Sequence, residues 1–118
     1  MVLVDTSVWV SHLRDGNVGL EKLLNDGDVV CHPFIVGELA CGNLKNRHEI
    51  LMYLQSLPKA ILAEDGEVLK FIESHQLTGK GLGYIDVHLI ASALLTNVLL
   101  WTLDKTLGKF TEKIGINY

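Results

Sequence analysis

The chain has 118 residues, 48% of them hydrophobic, and a formal net charge of −4, which suits one domain with its own core over residues 1–118 and no Pro/Gly/Ser-rich linker to divide it. The acidic balance excludes general attraction to phosphate, so any nucleic-acid contact must be local or metal-mediated. Two cysteines, Cys31 and Cys41, are too few for a disulfide framework and match no zinc spacing, which reads as two reduced core thiols.

Val2 to Asp5 is a short β-branched run that ends on a polar residue, and Thr6-Ser7 then offers a capping hydroxyl ahead of helical apolar spacing. That spacing continues through Leu20, Leu23 and Leu24 to the break Asn25-Asp26-Gly27. Asp28 to Cys31 reads as a second strand. Pro33 suits the first turn of a helix carrying Val36, Glu38, Leu39 and Ala40. Ile50, Leu51, Leu54 and Leu57 mark another amphipathic helix that stops before Pro58, and Ala60 to Ala63 reads as a third strand.

Glu64 and Asp65 favour the start of a helix through its dipole, with Val68, Leu69, Phe71 and Ile72 as the buried stripe. Gly79, Gly81 and Gly83 mark a mobile loop. Tyr84 to Leu95 is a largely buried helix whose first turn holds Asp86. Val98 to Thr102 is the strongest strand pattern, Leu103 to Lys113 a short helix, and Gly115 to Tyr118 an edge strand. Strands alternating with helices imply an α/β fold with a mostly parallel sheet of four to five strands, covered on both faces. No apolar run is long enough to span a bilayer and no basic segment opens the chain, so the expected location is cytoplasmic, without a membrane partner.

Asp5, Glu38, Asp86 and Asp104 stand at the borders of these apolar stretches. A lone buried carboxylate costs several kcal/mol, so four at the rim of a core should share a cation or face water. Asp5 and Asp104 fall just past strand ends, where ligands bind in open α/β sheets, and Glu38 and Asp86 fall within first turns of helices. The bland alternative is that each acid is a helix cap or a solvated turn residue. Read as one site, four oxygen donors without histidine favour Mg²⁺ or Mn²⁺ over zinc. Such a site can activate water and neutralise a phosphodiester, with one metal or two.

Four segments carry a resemblance: Val4-Asp5-Thr6-Ser7-Val8-Trp9, Glu38-Leu39-Ala40-Cys41-Gly42, Tyr84-Ile85-Asp86-Val87-His88-Leu89-Ile90-Ala91 and Trp101-Thr102-Leu103-Asp104. In order and spacing the chain resembles PIN-domain ribonucleases, specifically toxins of the VapC type. The resemblance implies a PIN-like three-layer α/β/α sandwich and Mg²⁺- or Mn²⁺-dependent cleavage of RNA. It implies that Asp5, Glu38, Asp86 and Asp104 are metal ligands, direct or through water, that Thr6 or Ser7 hydrogen-bonds inside the site, and that Thr102 orients the fourth segment. It further implies a homodimer and a VapB-type antitoxin whose C-terminal segment lies beside the acids. The chain departs from the family at Leu107, where an aromatic is frequent, and Phe110 comes later.

Lys80, Lys105, Lys45, Arg47 and Lys109 are candidates for phosphate contacts or plain surface charge. Trp9 and Trp101 lie in apolar runs and read as core, Tyr84 as exposed, and His32 and His88 as partly buried or capping side chains. Leu13, Leu20, Leu51, Leu54 and Leu57 exceed what one small sheet covers, which points to an association surface. Two other readings compete: an inert PIN-like module that binds RNA or protein, and a haloacid-dehalogenase-type phosphohydrolase. The second needs an acid two residues after Asp5, where the chain has Ser7.

Overall fold

The structure, a computed structural model, describes residues 1–118. Three short parallel strands, β1 (Val2–Val4), β2 (Val29–Val30) and β3 (Leu99–Trp101), form a sheet in the order β2-β1-β3. Seven helices surround it: α1 (Thr6–Asp15), α2 (Val18–Asn25), α3 (Pro33–Ala40), α4 (Arg47–Ser56), α5 (Asp65–Ser74), α6 (Tyr84–Thr96) and α7 (Lys105–Lys113). Val2, Leu3 and Val4 are all buried, the pattern of a central parallel strand covered on both faces.

Register follows from that burial. Val2 pairs with Val29 on one side and with Leu99 on the other, and Val4 reaches Trp101. The chain therefore leaves β1 toward one neighbour and later returns to the opposite one, which puts a topological switch point at the carboxyl end of β1. Leu3, Val8, Leu20, Ile35, Leu54, Leu89, Ile90, Leu100 and Leu107 fill the core. No helix is long and apolar enough to cross a membrane.

The sheet has three strands, not the four to five that the apolar pattern implies. The segments at 60–63 and 115–118 do not form strands; each side of the sheet carries only a single parallel bridge, Cys31 with Lys59 and Leu100 with Asn117. Pro58 cannot donate a ladder hydrogen bond, and the Ile61 N–H turns away to the Thr96 hydroxyl at 2.9 Å. Ile61 and Leu62 are exposed in consequence.

The first helical stretch is broken in two. Gly16 takes a positive φ of 81°, and the Asn17 side chain caps α2 by accepting the Leu20 N–H at 3.0 Å, so a fresh helix starts where periodicity alone ran on. Cys41 is exposed and only Cys31 is a core thiol. Leu69 lies outside the core on the exposed face of α5.

The leucines nominated for association are partly or fully covered: Leu20 and Leu54 are buried, and Leu13, Leu51 and Leu57 pack against the core. The apolar side chains that reach solvent are others, among them Met52, Tyr53, Ile61 and Leu62. Trp9 is a core residue whose indole N–H has no partner. Trp101 is half-buried and leans on Tyr118 with ring centroids 5.1 Å apart.

Candidate active site

Asp5 occupies the switch point. It follows β1, its N–H is held by the Trp101 carbonyl at 2.9 Å, and its side chain is buried. Ser7 and Thr102 both donate their hydroxyls to Asp5 Oδ2, at 2.8 and 2.7 Å. Each hydroxyl in turn accepts a backbone N–H, Ser7 from Leu103 at 3.0 Å and Thr102 from Asp104 at 3.0 Å. The two hydroxyl protons are thereby used on one carboxylate oxygen, and Asp5 Oδ1 is left to act as a ligand or acceptor.

Asp104 follows β3 and caps α7, accepting the Leu107 N–H at 2.8 Å through one oxygen. It is thus a helix cap, and its other oxygen is still available in an exposed position. Asp86 sits at the third position of α6 and reaches back to the Gly83 N–H at 3.0 Å. Burial pushes the Asp86 carboxyl above the usual range, the Gly83 N–H opposes this, and the negative charges of Asp5 and Asp104 push it further up. Asp86 therefore lies within the fields of both Asp5 and Asp104.

Glu38 is the exception in that coupling. It lies in the second turn of α3, not the first, and Thr6, the opening residue of α1, donates its hydroxyl to Glu38 Oε1 at 2.7 Å. Thr6 and Ser7 are adjacent, so one dipeptide ties Glu38 to Asp5 through two neighbouring hydroxyls. No three His, Cys, Asp or Glu side chains converge closely enough to form a ready-made metal cage. The donor set still fits a hard cation: all four groups are carboxylates, each has an oxygen without a protein donor, and Mg²⁺ retains several waters and needs few direct protein ligands.

Two clefts flank the acids. One of about 620 Å³ contains Glu38 together with Arg14, Lys45 and Asn46. Another of about 400 Å³ contains Thr102 and Asp104 together with Lys105 and Lys109. Lys80 is exposed in the turn before α6, where Gly81 adopts φ 81° with Thr106 close by.

A second polar cluster, outside the four acids, centres on Asp65. Asp65 Oδ1 accepts the Tyr84 hydroxyl at 2.8 Å and meets His88 Nε2 at 3.1 Å. The Tyr84 hydrogen bond, followed by that of His88, holds the Asp65 carboxyl below its usual range. His32 is fully buried at the start of α3, accepting the Phe34 N–H at 3.0 Å and meeting the Ser92 hydroxyl at 3.1 Å. Burial, aided by His88, lowers its pKa to about 4. Asp65 reads from sequence only as a helix-dipole residue; the four-residue spacing of Tyr84 and His88 was the available signal that one partner could engage both.

A parallel α/β domain with Asp5 and Asp104 just past the carboxyl ends of its strands and Asp86 within the field of both defines the class, and the chain belongs to the PIN-domain family, which it matches over residues 2–113. It is 40% identical over 117 residues to ribonuclease VapC32 of Mycobacterium tuberculosis, in both strain CDC 1551 / Oshkosh and strain ATCC 25618 / H37Rv. The alignment covers 98% of this chain and 94% of the relative. The chain is therefore a homologue of a VapC ribonuclease.

Proposed function

We propose that this chain is a metal-dependent endoribonuclease that hydrolyses RNA phosphodiester bonds as the toxin of a toxin–antitoxin pair. The observation that carries the reading is the fixed Asp5 carboxylate at the end of β1, one oxygen saturated by Ser7 and Thr102 and the other without a protein donor, with Asp86 in the field of Asp5 and Asp104. Asp5, Glu38, Asp86 and Asp104 would hold Mg²⁺ or Mn²⁺, some of them through water. When bound, the ion supplies charge neutralisation at the phosphodiester and activates water for attack.

The chain's own residues supply position. Thr102 couples two acids, since its hydroxyl donates to Asp5 and accepts from the Asp104 backbone. Ser7 anchors Asp5 to the segment after β3 in the same way. Lys105 and Lys109 stand in the cleft of Asp104, and Arg14 and Lys45 in the cleft of Glu38. A strand crossing from one cleft to the other would bring a phosphate over the carboxylates, with local cations offsetting the acidic whole. Lys80, exposed in the turn before α6, would extend the rim.

The partners follow from the same reading: a VapB-type antitoxin whose arginine pairs with the carboxylates, and a second copy of the chain, with the protein acting in the cytoplasm. The fuller three-layer α/β/α description belongs to the same proposal. The test is cleavage of a structured RNA by purified protein with Mg²⁺ or Mn²⁺, its loss on chelation, and its loss in Asp5→Ala. Retained cleavage by that variant sinks the assignment.

One observation favours a second reading, an inert PIN-like binding module: no three acids already stand at ligating distance. Calorimetry with Mn²⁺ separates the two, because the inert module would bind none.

A further inference from the structure

We infer that the cavity between the start of α3, the segment before α5 and α6 is a nucleobase pocket beside the cleavage site, with Phe34 as its stacking face and Asp65 as the acceptor that reads the base edge. The inference rests on the ribonuclease reading. The cavity holds about 380 Å³ and is lined by Phe34, His32, His88, Leu62, Glu64 and Asp65 among others. Phe34 is 38% exposed, and its ring is braced by His88 at 4.9 Å and His32 at 5.0 Å between centroids.

The pocket is built before anything enters it. His32 fixes the Phe34 backbone through its N–H. Tyr84 and His88 both engage Asp65 Oδ1, which holds the carboxylate in place and leaves Oδ2 to accept from a ligand. Preorganisation of this kind lowers the ordering cost of binding.

The lining chemistry selects a base over a phosphate. Glu64 and Asp65 are there with no lysine or arginine, so a phosphate would be repelled. An unstacked base brings a π-face for Phe34 and, when it carries an exocyclic amine, a donor for Asp65. Phe34 and Glu38 are four residues apart on one face of α3, about 6 Å along the helix axis. A base in this pocket therefore belongs to a nucleotide neighbouring the phosphodiester held at the acids.

The experiment maps cleavage sites and measures kinetics with Mg²⁺ or Mn²⁺ on single-stranded RNA of randomised sequence, for the intact chain and for Phe34→Leu, Phe34→Ala and Asp65→Asn. The intact chain should favour an amine-bearing base at one position beside the cut. Asp65→Asn retains an acceptor for Tyr84 and His88 but presents an amide N–H to the ligand, and should shift that position toward uracil. Loss of stacking should raise KM by roughly 5- to 150-fold, more than it lowers kcat, and Phe34→Leu should show this with an unchanged melting temperature. Cleavage by the intact chain without base preference, or by the variants with the original profile and KM, overturns the pocket and leaves the ribonuclease reading standing. An intact chain that cuts no RNA sinks that reading and the pocket with it.

Discussion

Thr102 donates its hydroxyl to the Asp5 carboxylate across 2.7 Å although 97 residues separate them. Thr102 Oγ1 also accepts the Asp104 N–H, so one side chain joins the ends of β1 and β3 and sets two acids relative to each other.

Replacing Thr102 by Val keeps the shape and removes the hydroxyl. The Asp104 N–H then loses its acceptor and Asp5 loses one of two donors, a change expected to cost about 1–3 kcal/mol and to reduce RNA cleavage. Thr102→Ser should restore both. Thermal melts and cleavage rates on the three proteins check this, and a Val variant with native stability and rate would show that the hydroxyl does nothing.

Asp86→Asn should separate stability from activity. The half-buried carboxyl is disfavoured by burial and by Asp5 and Asp104, whereas an amide oxygen still accepts the Gly83 N–H. The metal-free variant should therefore melt no lower than the parent, and slightly higher at low salt, while cleavage collapses. Differential scanning calorimetry alongside an RNA assay reads both effects.

Added Mg²⁺ or Mn²⁺ should raise the melting temperature of the parent, because an ion bound only by the folded state stabilises it by RT ln(1 + [L]/Kd). At an ion concentration 100 times Kd this amounts to about 2.7 kcal/mol. The rise should be largely absent in Asp5→Ala. Equal rises in both proteins would place the ion elsewhere.

His32 predicts the acid limb of stability. Its pKa is lowered from 6.5 to about 4 in the fold, so between those values the unfolded chain binds the proton and the native chain does not. Stability should fall as pH drops from about 6.5 to about 4 and lose no more from this group below that, a total of about 3 kcal/mol. His32→Asn retains a cap for Phe34 but cannot titrate; it should be less stable at pH 7 and show a shallower slope over the window. Urea titrations across the range measure it.

Local rules made much of the chain legible. Pro33 opening a helix, Asp86 in a first turn and the buried run Val2-Leu3-Val4 follow from backbone preferences and from the cost of exposing apolar surface, and these do not need distant partners. The same rules misjudged Ala60 to Ala63, because the outcome there depended on Thr96 capturing the Ile61 N–H, and they misjudged the surface leucines, because burial depends on which faces meet.

The sequence by itself determined that the chain would be an α/β domain with four acids at the borders of its apolar stretches, since periodicity and the cost of burying lone carboxylates are properties of neighbouring residues. Only the tertiary structure decided how those acids relate. It tied Glu38 to Thr6 and Asp5 to Ser7 and Thr102, coupled Asp86 to Asp5 and Asp104, and used Asp104 to cap α7. Hydrogen bonds and Coulomb fields act through distance in space, and the distance between residues 5 and 102 is set by strand pairing, which no local pattern records.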